Sequence, residues 1–313
     1  MAKAVVVGNG ALGLFTARRA RDMGMGVVMV GKGKPPDRFI VLQENVIRVL
    51  ERVYGGYPGV RVKGIRVLDL KGREWRRIEG EKRGLRMASV SYGDFLAFLE
   101  ENLKDVERVE EYATSLDPSG SVRTESGREI NGDHVFVAVG KPFRKVVSYK
   151  HKTFYLGFPR LSAEEDWILQ INDSHFYAVV TPFGQGRYAL ATASEDVSPL
   201  KELFGDFEWD PFPLNLSSYY TPFWRKGKIV YLGDSVRRFH PHTTQGINRA
   251  IWITDRFFRR GLKFSPWDVF GEFVFFLEGI VLDSLWGSGR RRIRLSYFPM
   301  DVGFGYTLMA GTL

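Results

Sequence analysis

The sequence has 313 residues, 44% hydrophobic and 26% charged, with no cysteine and a formal net charge of +9. That length supports one large or two modest domains with a real core. The lack of cysteine excludes disulfides, thiolate metal sites and thiol nucleophiles or redox pairs.

The positive balance suits anionic ligands: phosphate-bearing cofactors, acidic lipids or nucleic acid. No basic–aromatic module accompanies it, so nucleic acid is not expected as a partner. Zero cysteine with four glutamines (Gln43, Gln170, Gln185, Gln245) leans towards a thermophile, in which labile residues are depleted. No signal peptide is visible, and no stretch reaches the roughly 20 apolar residues of a membrane span. The expected location is cytoplasmic.

Ala4-Val5-Val6-Val7 is an apolar run too short for a helix, and it feeds Gly8-Asn9-Gly10-Ala11-Leu12-Gly13. A helix is predicted from Ala11 to Met23. Strand, GxGxxG and helix together form the fingerprint of a dinucleotide site. Gly8 permits the sharp turn, Gly10 clears space for a pyrophosphate and Gly13 lets the helix lie close to the strand. The helix N-terminus, with Ala11 and Leu12, offers its N–H groups to phosphate. The motif alone leaves NAD, NADP and FAD open.

The second strand is predicted at Gly26–Val30. A dinucleotide site normally places an acid at its end, about 20 residues past the glycines, to hold the adenosine ribose. Gly31-Lys32 stands there instead. Either a backbone group or Asp37 binds the ribose, or Lys32 faces a 2′-phosphate. Lys34–Arg38 reads as a turn, and Lys32 and Arg38 are candidate cofactor contacts.

Phe39 to Val53 reads as a helix, ended by Gly55-Gly56-Tyr57-Pro58-Gly59. Residues 60–70 and 73–78 read as strands joined by Lys71-Gly72. A helix follows from Tyr92 or Asp94 to Leu103, then a short strand at Val106–Tyr112. A small hairpin is predicted around Ser126-Gly127, and a buried strand at Asp133–Gly140. Residues 151–220 are rich in aromatics, and alternation at 174–181 and 187–193 predicts an antiparallel sheet. A buried strand returns at Lys228–Asp234. Helices are predicted at Gln245–Arg259 and 266–286, the second amphipathic, followed by the basic run Arg290–Arg294. A peripheral membrane contact through 266–294 and a helix that caps the core are both open, with the capping helix preferred.

The segment Gly233-Asp234-Ser235-Val236-Arg237-Arg238-Phe239-His240-Pro241-His242-Thr243-Thr244-Gln245-Gly246-Ile247-Asn248 resembles the C-terminal flavin motif of the para-hydroxybenzoate-hydroxylase-like FAD superfamily. The shared pattern is a strand ending in Gly-Asp, a loop with a proline, then Gly-x-Asn opening a helix. The resemblance implies that Asp234 bonds the ribityl chain of FAD and that Pro241 lies beside the isoalloxazine ring. It also implies that the helix N-terminus at Gln245, Gly246, Ile247 and Asn248 points at the ring edge that gathers negative charge on reduction. Val135–Gly140, with Arg144 after it, resembles the family's middle motif, in which Gly140 touches the cofactor. Val139 replaces that motif's acid, and Tyr92 replaces an arginine at the head of the helix before it. With the missing ribose acid, these departures leave NAD(P)H as reductant open.

The fold class implied is α/β: a Rossmann-like, glutathione-reductase-type FAD-binding domain with an inserted, mainly antiparallel β substrate domain and a C-terminal helical segment. The expected boundaries are 1–62, 84–146 and 225–262 for FAD binding, 63–83 and 147–224 for the substrate, and 263–313 for the C-terminal helix and tail. The expected function is that of an FAD-dependent oxidoreductase, monooxygenase-like, acting on an apolar or aromatic small molecule. Alternatives are a geranylgeranyl-reductase-like flavoprotein and a non-catalytic FAD- or lipid-binding protein. An NADP-dependent dehydrogenase using Lys32 leaves Gly233–Asn248 unexplained. His240 and His242 flank Pro241 and are the candidate acid/base groups. No metal ligand set stands out.

Overall fold

The computed structural model describes residues 1–33, 38–80, 82, 84–141, 146–151, 153–163, 166–172, 176–184, 186–192, 194–215, 217–238 and 245–286. The chain begins β1 (Lys3–Val7), α1 (Ala11–Asp22), β2 (Gly26–Val30), β3 (Phe39–Gln43), α2 (Glu44–Tyr54), β4 (Val60–Val62), β5 (Gly64–Leu68), β6 (Glu74–Glu79), β7 (Met87–Ser91) and α3 (Tyr92–Glu100). It continues β8 (Glu107–Val109), β9 (Ala113–Leu116), β10 (Ser121–Thr124), β11 (Glu129–Asn131), β12 (His134–Val137), β13 (Val147–Lys150), β14 (Phe154–Gly157), β15 (Trp167–Asn172), β16 (Tyr177–Pro182) and β17 (Tyr188–Thr192). It ends α4 (Ser198–Phe204), β18 (Phe212–Leu214), β19 (Ser217–Tyr220), β20 (Arg225–Lys226), β21 (Ile229–Tyr231), β22 (Arg237–Arg238), α5 (Gln245–Arg259) and α6 (Pro266–Trp286).

These elements fall into two compact units. Unit 1 takes Met1–Asp37, Gly93–Tyr149 and Ser218–Leu277; unit 2 takes Arg38–Tyr92, Lys150–Ser217 and Glu278–Leu313.

Unit 1 is built on a sheet of order β20-β21-β12-β1-β2-β8. All neighbours run parallel except β20 on β21. A parallel sheet needs cover on both faces, so its strands are continuously apolar. Ala4, Val5 and Val6 of the central strand are fully buried, as are Val135 and Phe136 of β12. Helix α1 buries Leu14, Phe15, Ala17 and Ala20. Its outer side meets α5, where Arg19 pairs with the buried Asp255 at 3.4 Å. Two three-stranded sheets, β11-β10-β9 and β13-β19-β22, complete this unit.

Unit 2 holds a seven-stranded sheet of order β18-β14-β17-β16-β15-β5-β6. Its pairs are antiparallel save for β5 on β15. Leu68, Trp167, Ile171, Val180, Tyr188 and Leu200 form one core on it. Residues 38–92 cohere because β3 and β4 both pair with β7.

The predicted helix at 39–53 starts later than expected. Phe39–Gln43 is a strand, and the helix begins at Glu44. A run of four apolar residues suits a buried strand or a helix alike; pairing with β7 decides it. The strand expected over 106–112 shortens to Glu107–Val109. The hairpin at Ser126-Gly127 forms, and the strands expected at 174–181 and 187–193 pair antiparallel over 177–182 and 188–192. Helix α5 spans the predicted residues. Helix α6 buries Glu272, Phe275 and Phe276, while Trp267, Phe270 and Leu277 are exposed. Among the described residues no helix is long and apolar enough to cross a membrane. The basic run Arg290–Arg294 lies outside the described residues.

Candidate functional site

In open parallel sheets, ligands bind outside the carboxyl ends of the strands. In unit 1 those ends carry the sequence's motifs. Val7 leads to Gly8, Val30 to Gly31, Val137 to the Ala138–Gly140 segment, and Tyr231 to Gly233-Asp234.

Gly8 has φ +122°, and a Cβ there would stand 2.4 Å from the Ala138 carbonyl oxygen. Only glycine combines that backbone with that approach. A Cβ on Gly13 would meet the Gly8 carbonyl oxygen at 2.0 Å, so α1 presses on the turn that precedes it. Gly10 is extended (φ −78°, ψ −178°) and opens α1 without a side-chain cap. Ala11 and Leu12 occupy the first turn of the helix, where backbone N–H groups point out of its end. The residues fit a pyrophosphate: no Cβ at Gly8 or Gly10, and a helix N-terminus directly after the turn.

The downstream segments are stitched to this cradle. The Ala138 N–H donates to Val7 O at 2.8 Å, and the Leu232 N–H to Val137 O at 2.9 Å. Gly233–Ser235 forms a short 3₁₀ turn, in which Ser235 Oγ donates to Val137 O at 2.9 Å and accepts from the Val139 N–H at 3.1 Å. Gly233 has φ +54°, and its Cβ position lies 2.4 Å from a Leu12 methyl. Three segments far apart in sequence therefore meet at the ends of β1, β12 and β21.

Asp234 has its backbone oxygen bonded by the Tyr219 hydroxyl and its carboxylate 3.5 Å from Arg238. The Asp234 charge adds to burial in pushing the Tyr219 hydroxyl above its ordinary range. Arg238 also donates to Gly140 O at 2.5 Å. At Gly140 itself nothing would crowd a Cβ.

In the first turn of α5, Asn248 is fully buried, while Gly246 and Ile247 are half-buried. Gln245 opens the helix. His240, Pro241 and His242 lie outside the described residues, as do Asp37 and Arg144. Arg38 belongs to unit 2, where its guanidinium lies 4.1 Å from the Tyr92 ring centroid and its carbonyl accepts the Tyr92 N–H.

Lys32 donates to Glu125 Oε1 at 3.0 Å. That bond and the carboxylate's charge raise the Lys32 pKa above its ordinary value. Sequence reasoning missed Ser235, which a serine directly after Gly-Asp hints at, and Glu125, which nothing local signals.

No protein-family model matches the sequence, and no curated protein sequence matches it. Solved structures do. p-Nitrophenol 4-monooxygenase PnpA from Pseudomonas putida aligns with 14% identity and TM-score 0.73 over 93% of this chain and 90% of that one. PqsL from Pseudomonas aeruginosa, in complex with 2-aminobenzoylacetate, aligns with 16% identity and TM-score 0.71 over 92% and 97%. A variant of HpxO from Klebsiella pneumoniae, complexed with FAD, aligns with 14% identity and TM-score 0.68 over 99% and 92%.

The chain has the fold of the FAD-dependent monooxygenases.

Proposed function

We propose that this flavin-monooxygenase-fold chain is an FAD-dependent monooxygenase acting on a small aromatic or apolar molecule. The observation that carries the reading is the meeting of Gly8, Ala138–Gly140 and Gly233–Ser235 at the carboxyl ends of β1, β12 and β21. A βα turn serving only to connect elements has no need of the third segment. The neighbours named for nitrophenol oxygenation and for an aminobenzoylacetate complex favour an aromatic substrate over an isoprenoid.

In this reading the glycine cradle and the N-terminus of α1 hold the pyrophosphate. Asp234 accepts hydrogen bonds from the ribityl hydroxyls. The N-terminus of α5, at Gln245 to Asn248, would stabilise negative charge gathering on the flavin ring, with Pro241 the proline that precedes it in the sequence motif. FAD, when bound and reduced, supplies activation of dioxygen so that one oxygen atom enters the substrate. His240 and His242, which flank Pro241 in the sequence, would be the groups that exchange protons with substrate. Unit 1 is the FAD-binding part, and unit 2 with its large β-sheet bears the substrate. The two reducing electrons come from NADH, NADPH or another donor, and the assay below tells these apart.

Purified protein is expected to be yellow, or to turn yellow on adding FAD, and to release FAD on denaturation. Oxygen uptake with NADH or NADPH, screened over phenols and anilines, should rise with a substrate and yield a product heavier by one oxygen atom. A protein that neither carries nor takes up FAD would overturn the reading. Flavin reduction with no oxygen incorporated into any substrate would turn it towards hydride transfer.

A further inference from the structure

The end of β2 carries no carboxylate, yet the fold brings one there from elsewhere. The Gly31 N–H donates to Val109 O at 3.0 Å, which levels the ends of β2 and β8. Beyond β8 the chain passes through Tyr112, whose carbonyl accepts the Glu125 N–H at 2.9 Å. The Ser126 N–H donates to the Glu111 carboxylate at 3.1 Å, so the β10–β11 turn is tied down on both sides. Glu125, 93 residues after Lys32, thus delivers its carboxylate to the Lys32 ammonium. Lys32 also lies 5.8 Å from the Tyr112 ring centroid, and Asn9 Nδ2 donates to Gly33 O at 2.6 Å. A Cβ on Gly31 would stand 3.0 Å from the Asn9 nitrogen, so this loop sits directly against the glycine turn.

We infer that Glu125, positioned by Lys32, replaces the absent β2 acid and accepts hydrogen bonds from the adenosine ribose hydroxyls; this rests on the reading of unit 1 as an FAD site. The chemistry favours an acceptor there. An ammonium only donates, whereas a ribose hydroxyl pair is held by a carboxylate that accepts from both. Lys32 consumes one lobe of Glu125, and the side chains stay 52% and 37% exposed, so the carboxylate remains accessible. The same pairing answers the other option at Lys32. A 2′-phosphate would meet the Glu125 charge beside the lysine, with Glu111 close behind. The site therefore selects an adenosine without a 2′-phosphate.

The test uses the full-length protein stripped of flavin and titrated with FAD, FMN, ADP and 2′,5′-ADP, followed by flavin fluorescence and calorimetry. Wild type should bind FAD and ADP and discriminate against 2′,5′-ADP. E125Q should weaken FAD and ADP about tenfold, the scale of a lost hydrogen bond to a charged group. It should leave FMN binding and thermal unfolding unchanged and relax the discrimination against 2′,5′-ADP. E125D should recover part of the ADP affinity. Unchanged FAD and ADP affinity in E125Q would overturn the inference while leaving the FAD site intact. Equal weakening of FMN and FAD would mark Glu125 as a merely structural residue. Wild type that binds neither FAD nor ADP would overturn both readings.

Discussion

Arg249 donates its guanidinium Nε to the carboxylate of Glu272, and both side chains are buried. Arg249 directly follows Asn248 in the first turn of α5, so the pair ties the proposed flavin-facing helix end to α6. The Arg249 guanidinium also lies 4.0 Å from the Phe275 ring centroid, and Glu272 pairs with the buried Arg237 of β22. Glu272→Ala takes this carboxylate away from two buried guanidinium groups at once. Breaking such a buried pair costs about 3–5 kcal/mol. The urea midpoint should fall accordingly, and FAD retention should fall with it as the α5 end loosens. An unchanged midpoint would mean that the Glu272 pairs with Arg249 and Arg237 contribute nothing to stability.

Gly13 separates α1 from the turn before it by less than a methyl group. A Cβ there meets the Gly8 carbonyl oxygen, a backbone atom that cannot swing aside. Gly13→Ala must push α1 off the cradle. The expected cost is about 1–3 kcal/mol, the range of overpacking, together with loss of bound FAD. Gly56→Ala is the control, since its Cβ would meet nothing within 4 Å. Thermal unfolding and the flavin content of both variants check the pair.

How much was legible in the sequence follows the range of the forces involved. The buried run Ala4 to Val7 and the turn at Gly8–Gly13 depend on residues adjacent in the chain, so the fingerprint reads directly. Helix α5 was legible for the same reason. β3 was not, because Phe39-Ile40-Val41-Leu42 suits either period and only the distant β7 makes it a strand. β15 was not read; in the fold it pairs with the adjacent β16 and, in parallel, with β5 roughly a hundred residues earlier, the second a contact no local pattern encodes. In the site, Gly233-Asp234 was readable as a motif. The Glu125 contact was not, since its signal is the register of a small hairpin rather than any spacing near Lys32.

Asp234 is the acid expected to hold the ribityl chain. Its side chain is 38% exposed and only loosely met by Arg238, which leaves its oxygens available. Asp234→Ala should weaken FAD and FMN alike by about tenfold or more, as a lost charge-assisted bond does. ADP affinity should be untouched, in contrast to E125Q. The backbone bond from the Tyr219 hydroxyl survives the substitution, so folding should change little. Equal FAD affinity in wild type and variant, by fluorescence titration, would remove Asp234 from the site.

Glu44 at the start of α2 gives unit 2 a pH signature. Burial alone would push its carboxyl up, but hydrogen bonds from Arg86 and Arg48, with the Arg86 N–H, bring it down to about 2. Those bonds measure 3.0 Å from Arg86 Nε, 2.6 Å from Arg48 Nε and 2.8 Å from the Arg86 backbone. A carboxyl lowered on folding adds stability above its unfolded value near 4.5, and that stability drains away as pH falls towards 2. With allowance for solvent around the arginines, the contribution is about 2 kcal/mol. Glu44→Gln should therefore be less stable than wild type at pH 7 by about that amount. The gap should narrow slightly at pH 4, fall to about half at pH 3, and close only below the folded value near 2. Urea unfolding curves at the three pH values check it, and a gap that stays constant would show that the Glu44 charge is not what Arg86 holds.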